Sequence, residues 1–214
     1  MNDNINLIII DQLRNDYLKH LPKCREVLRY SGTCSCNSIP TSTEPMHANI
    51  STGHYPGVHQ LVSKYTATGK NGIENLIYEF QEPTISQIAF EFDYQVNVIG
   101  GKDDVVSIMA FNSDFITYGC CLEYANGKQF ARLWGNGKDM ARDIIDSCKL
   151  DGRIERIDHN VLKVYRTISN EHQGKQFWII GLPLLDTIGH KYGPMSSETI
   201  KHIETCLNER LRRN

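Results

Sequence analysis

The sequence predicts an α/β fold in which a mostly parallel central sheet is flanked by helices. Apolar runs rich in β-branched residues, at 6–10 and 177–185, are typical of strands buried on both faces. Apolar residues recur at helical spacing in 138–150. Strand-like and helix-like segments alternate along the chain, which is the pattern of a parallel α/β sheet.

Composition predicts one domain over residues 1–214. The chain is 40% hydrophobic and 22% charged, which is ordinary for a globular protein with a sizeable core. A formal net charge of -2 gives no electrostatic attraction to a nucleic-acid duplex or an anionic membrane. The seven cysteines are an odd number, and the first residues do not read as a signal peptide. We therefore expect reduced thiols in a cytoplasmic protein, with no membrane partner.

The remaining elements follow from periodicity and from helix signals. A helical pattern over 13–30 is interrupted by Pro22, and Thr84 and Ser196 are candidate caps of later helices. Residues 161–169 fit either a helix or a strand, and 103–125 give no clear prediction. The other predicted elements are strands at 34–39, 96–100 and 177–182, and helices at 84–92 and 196–212.

A stretch rich in hydroxyl residues, 38–53, is the first candidate site. Thr43 is predicted to cap a short helix over 44–52, with Pro45 in its first turn and Gly53 at its end. A hydroxyl at a helix N-terminus lies where free N–H groups and the helix dipole favour anions. Thr43 as a capping residue and nothing more remains the alternative interpretation.

Acidic and imidazole groups follow two of the predicted strands. Asp11 comes directly after the first strand, where open α/β sheets place ligand chemistry. Asp186 and His190 follow the last strand, and at this spacing they can bind one cation if the segment coils. A mixed oxygen and nitrogen ligand set suits zinc, and with Thr43 the groups indicate two-metal phosphoryl transfer. The alternatives are a helix cap for Asp11 and a loop hydrogen bond between Asp186 and His190.

These three segments resemble the alkaline phosphatase superfamily, and within it the type I phosphodiesterase/nucleotide pyrophosphatase branch. That branch has a first strand ending in a metal-binding Asp, which matches Asp11. Its motif P-T-x-T-x-P-N-H, followed by T-G-x-Y-P and then by H-G, matches 40–47, 52–56 and His59, with Thr43 in the place of the nucleophile. Its motif D-x-x-G-H-x-x-G-P matches 186–194.

The resemblance implies an alkaline-phosphatase-like fold and a metal-dependent phosphoric ester hydrolase. Thr43 would attack phosphorus and form a phospho-threonine intermediate. The implied metal ligands are Asp11, Thr43, Asp186 and His190, and the implied cofactors are divalent ions, with zinc preferred, in a two-metal site. The implied substrate is a small phosphate ester or a nucleotide.

Several positions depart from the family pattern. The motif Asn is Met46, and the Gly after the motif's last His is Gln60. Where the family places an Asn on the phosphoryl oxygens, an ungapped count gives Lys64, which would contact them as a point charge.

The family's remaining metal ligands, an Asp-His pair and a later His, are expected beyond Asn214. Residues 158–159 are an Asp-His pair, but they precede Asp186 and are interpreted as surface. The missing ligands would come from another chain or protomer, or the site would hold one metal. Self-association or a complementing chain is therefore expected. The alternative is a truncated or non-catalytic relative that serves as a binding module.

Overall fold

The computed structural model describes residues 4–21, 42–62, 65–68, 72–75, 82–102, 106, 108–109, 115–125 and 128–204. The chain forms two compact units. The first comprises Met1–Ile9 and Ser38–Gly181, and the second comprises Ile10–Asn37 and Leu182–Asn214. Each unit is described by itself below, and a single domain over 1–214 stays a prediction.

Five strands form a mixed, mostly parallel sheet with the order β1-β7-β4-β5-β6. The central strand β4 is parallel to both of its neighbours, β5 and β7, whereas β6 is antiparallel to β5. A separate two-stranded antiparallel sheet joins β2 and β3. The strands are β1 (Ile5–Ile10), β2 (Tyr65–Thr68), β3 (Gly72–Asn75), β4 (Gln95–Gly100), β5 (Ile116–Ala125), β6 (Lys128–Trp134) and β7 (Gln176–Leu182).

Helices lie between these strands in the described ranges. They are α1 (Thr43–Thr52), α2 (Pro56–His59), α3 (Ile85–Glu91), α4 (Lys138–Ser147), α5 (Ile157–Glu171), α6 (Leu184–Tyr192) and α7 (Ser197–His202). Two 3-10 helices span Asn15–His20 and Ile154–Arg156. Across the described ranges, none of the helices has both the length and the apolar character needed to cross a bilayer.

The core of the first unit lies on the central strands. Val96 and Val98 of β4 pack with Phe177 and Ile179 of β7 in one buried apolar cluster. Every residue of β7 is buried, which explains why this segment reads as a continuous apolar run rather than an alternating one.

The structure confirms most of the predicted elements. The Thr84 hydroxyl accepts the Gln87 N–H and the Gln87 side chain accepts the Thr84 N–H, which is a capping box at the start of α3. The ambiguous segment 161–169 lies inside α5. Part of the pattern over 13–30 is the 3-10 helix Asn15–His20. The predicted strand at 34–39 lies outside the described residues.

Asp158 corrects one interpretation. The pair at 158–159 was expected at the surface, but Asp158 is fully buried. The reason is that α5 begins one residue earlier and places Asp158 in its first turn. A carboxylate in the first turn of a helix is favoured by the helix dipole.

Candidate active site

Helix α1 begins at Thr43 rather than after it. The N-cap is Ser42, whose backbone is extended and whose carbonyl accepts the Met46 N–H at 3.2 Å. Thr43 is the first helical residue, so the predicted capping role for Thr43 is wrong by one position. Pro45 falls in the first turn, where its missing N–H has no helical partner to lose. Gly53 ends the helix with a left-handed φ of 72°, as predicted.

This placement suits Thr43 to anion chemistry better than a cap would. The side chain is half-buried at the start of a ten-residue helix. The backbone N–H groups of Thr43 and Glu44 precede the first helical hydrogen bond, so they point along the axis toward the N-terminal side. A phosphoryl group beside Thr43 would therefore meet backbone donors and the positive end of the helix dipole.

A buried histidine lies one turn below Thr43. His47 is 3% exposed, and its Nδ1 lies 2.6 Å from the carbonyl oxygen of Thr43. A carbonyl oxygen only accepts hydrogen bonds, so Nδ1 carries the hydrogen and donates it.

The other motif histidines differ in environment. His59 is 5% exposed, and its Nδ1 accepts the Leu61 N–H at 3.1 Å. Its Nε2 lies 2.7 Å from the side-chain amide of Asn49. Burial lowers the pKa of His59. His54, in contrast, is exposed. His59 thus ties the segment after α1 back to that helix.

In the second unit, the segment after β1 contacts the end of β7 and, through Gln12, helix α6. The Asp11 N–H donates to the Leu182 carbonyl at 3.2 Å. Gln12 has a left-handed φ of 63°, which is uncommon for a residue other than glycine. A Cβ added at Gly189 would overlap the Gln12 amide oxygen, so the glycine in this motif leaves room for that side chain.

Asp186 and His190 form a pair on one face of α6. Asp186 lies in the first turn and its side chain is 12% exposed, whereas that of His190, one turn later, is 75% exposed. Asp186 Oδ1 and His190 Nε2 are 3.2 Å apart. Two ligand atoms about 2.05 Å from one tetrahedral zinc stand roughly 3.3 Å apart, so the pair fits two positions of such a site.

The structure brings only part of the predicted site together. Within the described ranges, no group of three or more His, Cys, Asp or Glu side chains could hold a metal ion. Asp11 lies on a segment that packs against α6, and its role as a further ligand stays a prediction. Thr43 belongs to the first unit, and its convergence with Asp11, Asp186 and His190 also stays a prediction. Lys64 lies outside the described residues.

Sequence reasoning missed two features of this region. Gln12 belongs to no motif. Its two notable features, a left-handed backbone conformation and a side chain that contacts α6 at Gly189, exist only after folding. The contact of His47 with Thr43 has a weak signal, since residues four apart face each other on a helix.

The profile of the family described as type I phosphodiesterase / nucleotide pyrophosphatase matches residues 6–209. The chain belongs to this family. The resemblance to the phosphodiesterase branch of the alkaline phosphatase superfamily is thereby confirmed. No curated protein matches the sequence.

Solved structures share the fold. Phosphonoacetate hydrolase from Sinorhizobium meliloti 1021, in complex with phosphonoformate, superposes with a TM-score of 0.66 at 17% identity. That match covers 99% of this chain and 52% of the hydrolase, and the complex with phosphonoacetate gives the same TM-score at 16% identity. Ps i-CgsB in complex with k-i-k-neocarrahexaose gives 0.55 at 13% identity and covers 100% and 55%. This chain spans about half the length of these proteins.

Proposed function

We propose that this phosphodiesterase-family protein is a metal-dependent phosphoric ester hydrolase that acts through a phospho-threonine on Thr43. The observation that carries the proposal is the position of Thr43 as the first residue of α1, with Ser42 in the N-cap position. A nucleophile needs its oxygen directed at the substrate, and a hydroxyl that is not the cap is suited to this role.

The chain's own groups would stabilise the phosphoryl oxygens. Backbone N–H groups at the start of α1 would donate to the oxygens that carry charge in the transition state. Most of what a protein does in phosphoryl transfer is positioning and charge stabilisation of this kind. The substrate class would be phosphodiesters or nucleotide pyrophosphates, and Lys64 would add a point charge.

Asp186 and His190 would hold one divalent ion, with zinc the best match to their donor atoms and separation. Asp11, on the neighbouring segment, would contribute to a metal together with Thr43. When bound, such ions supply the Lewis acidity that lowers the pKa of a hydroxyl and activates water.

Turnover of a chromogenic phosphodiester, with zinc added, tests the proposal. Thr43→Ala should lower kcat by about 10³-fold or more because the attacking oxygen is lost, whereas Thr43→Ser keeps a hydroxyl and should retain measurable turnover. Thr167→Ala is the matched control, since its hydroxyl donates to the Lys163 carbonyl within α5. Equal turnover of wild type and Thr43→Ala would contradict the mechanism, as would full activity after chelation.

One observation favours a second candidate, a non-catalytic relative that binds a ligand or a partner. Among the described residues, Asp186 and His190 stand as a pair and not within a group of three or more side chains that could hold a metal ion. This alternative predicts zinc binding without turnover, and the same assay separates the two. Self-association would supply ligands from a second copy, and sedimentation as a monomer at every concentration would count against it.

A further inference from the structure

The side chain of His47, which is not among the proposed reacting groups or metal ligands, contacts the first turn of α1. His47 lies four residues after Thr43, and helical side chains point back toward the preceding turn. Its Nδ1 reaches the Thr43 carbonyl at 2.6 Å, at the short end for an N–H···O hydrogen bond. Because His47 is 3% exposed, water competes little for either partner.

This bond acts on the one residue whose position the proposed function depends on. A threonine side chain in a helix is restricted to two χ1 rotamers, so the directions open to the Thr43 hydroxyl are set by the backbone of the first turn. Pro45 restricts its own φ angle in that turn. The hydrogen bond from His47 restricts the orientation of the Thr43 backbone carbonyl. Displacing a reacting atom by about 1 Å can lower the rate by about 10²-fold.

We infer that His47 is a positioning residue, which orients the Thr43 hydroxyl through an Nδ1–H hydrogen bond to the Thr43 carbonyl. The inference rests on the proposed function, because it gives the bond a role in attack by Thr43. The inference also predicts the tautomer of the imidazole ring: neutral His47 carries its hydrogen on Nδ1.

The matched variants are His47→Leu, which removes the donor, and His47→Asn, whose amide nitrogen can take the place of Nδ1. In the full chain with zinc, we expect His47→Leu to lower kcat about 10- to 100-fold with KM within about 3-fold. His47→Asn should stay within about 3-fold of wild type in both constants. Equal losses in both variants, or no loss in His47→Leu, would overturn the positioning role.

A double-mutant cycle separates positioning from general packing. If His47 acts through the hydroxyl, His47→Leu should leave the residual rate of Thr43→Ala unchanged, whereas a packing defect should lower it again. Unchanged turnover in Thr43→Ala would instead refute the proposed function. A loss in Thr43→Ala without a loss in His47→Leu would refute the positioning role alone.

The ring form can be measured without any turnover. Nitrogen-15 spectra of histidine-labelled wild type should show neutral His47 with its hydrogen on Nδ1. A ring whose only hydrogen is on Nε2 would overturn the inference whether or not His47→Leu folds, and whether or not the protein hydrolyses a phosphoester.

Discussion

At the scale of single residues, the motif positions were readable because their chemistry is local. Thr43, Asp186 and His190 stand out by residue type and spacing, and the spacing of four places the last two on one face of α6. The roles of Gln12 and His47 were not readable in this way. Gln12 acts through a left-handed backbone angle and a contact with α6, and His47 acts through a side-chain conformation within α1 that spacing alone does not specify.

The burial of His59 predicts a pH dependence of stability. Its pKa is lowered in the folded chain, so below the unfolded value of about 6.5 the unfolded chain takes up a proton that the folded chain does not. The free energy of unfolding should therefore fall as pH drops from about 6.5 toward the folded pKa, by about 1.4 kcal/mol for each pKa unit of depression.

Urea unfolding at pH 7.5 and at pH 5.5 measures this effect, with His59→Gln as the comparison. The variant should show a smaller loss between the two pH values, because glutamine does not titrate. His54→Gln is the matched control, since His54 is exposed. An unchanged pH difference in His59→Gln would show that His59 is not the group responsible.

At the scale of elements, periodicity predicted which segments form helices and strands. The errors lie where strand pairing or burial depends on tertiary packing. The cap of α3 was predictable because Thr84 and Gln87 form a local capping box. Strand β6 was not predicted, since pairing with β5 rather than strong alternation establishes it. The burial of Asp158 was also not predicted, because the polar residues around it in the sequence indicate a surface position.

The pairing of β5 with β6 leads to a prediction about Gly119. This glycine pairs with Trp134, and an added Cβ would overlap the indole ring. We expect Gly119→Ala to lower the free energy of unfolding by about 1–3 kcal/mol, because the rigid ring must move out of its packed position. Urea unfolding of the variant and wild type measures the difference.

Gly57 provides the control for this substitution. It lies in α2, and a Cβ there meets nothing within 4 Å. Gly57→Ala should be neutral or stabilise by up to about 1 kcal/mol, since it restricts the unfolded chain. Gly119→Ala as stable as Gly57→Ala would contradict the packing described for Trp134.

At the scale of the whole molecule, binding of zinc should raise the free energy of unfolding. An ion that binds only the folded chain stabilises it by about 2.7 kcal/mol when its free concentration is 100 times its Kd. This raises the Tm of a chain of this size by about 5–10 °C. We expect this shift with added zinc, relative to chelator, by thermal denaturation.

The pair on α6 should account for much of that shift. His190→Ala and Asp186→Ala each remove one of the two atoms that lie 3.2 Å apart, and each should reduce the shift. His54→Ala, at an exposed histidine, should leave it unchanged. A full zinc shift in both variants on α6 would mean that the metal binds elsewhere.

The central claim is that Thr43 takes the phosphoryl group from the substrate. The most direct measurement is acid quenching of the protein during turnover of a phosphodiester, followed by digestion and mass spectrometry of the peptide that contains Thr43. The account predicts one added phosphoryl group on Thr43 in wild type and none at that position in Thr43→Ala. Turnover of the substrate with a phosphoryl group trapped on another residue, and never on Thr43, would contradict it.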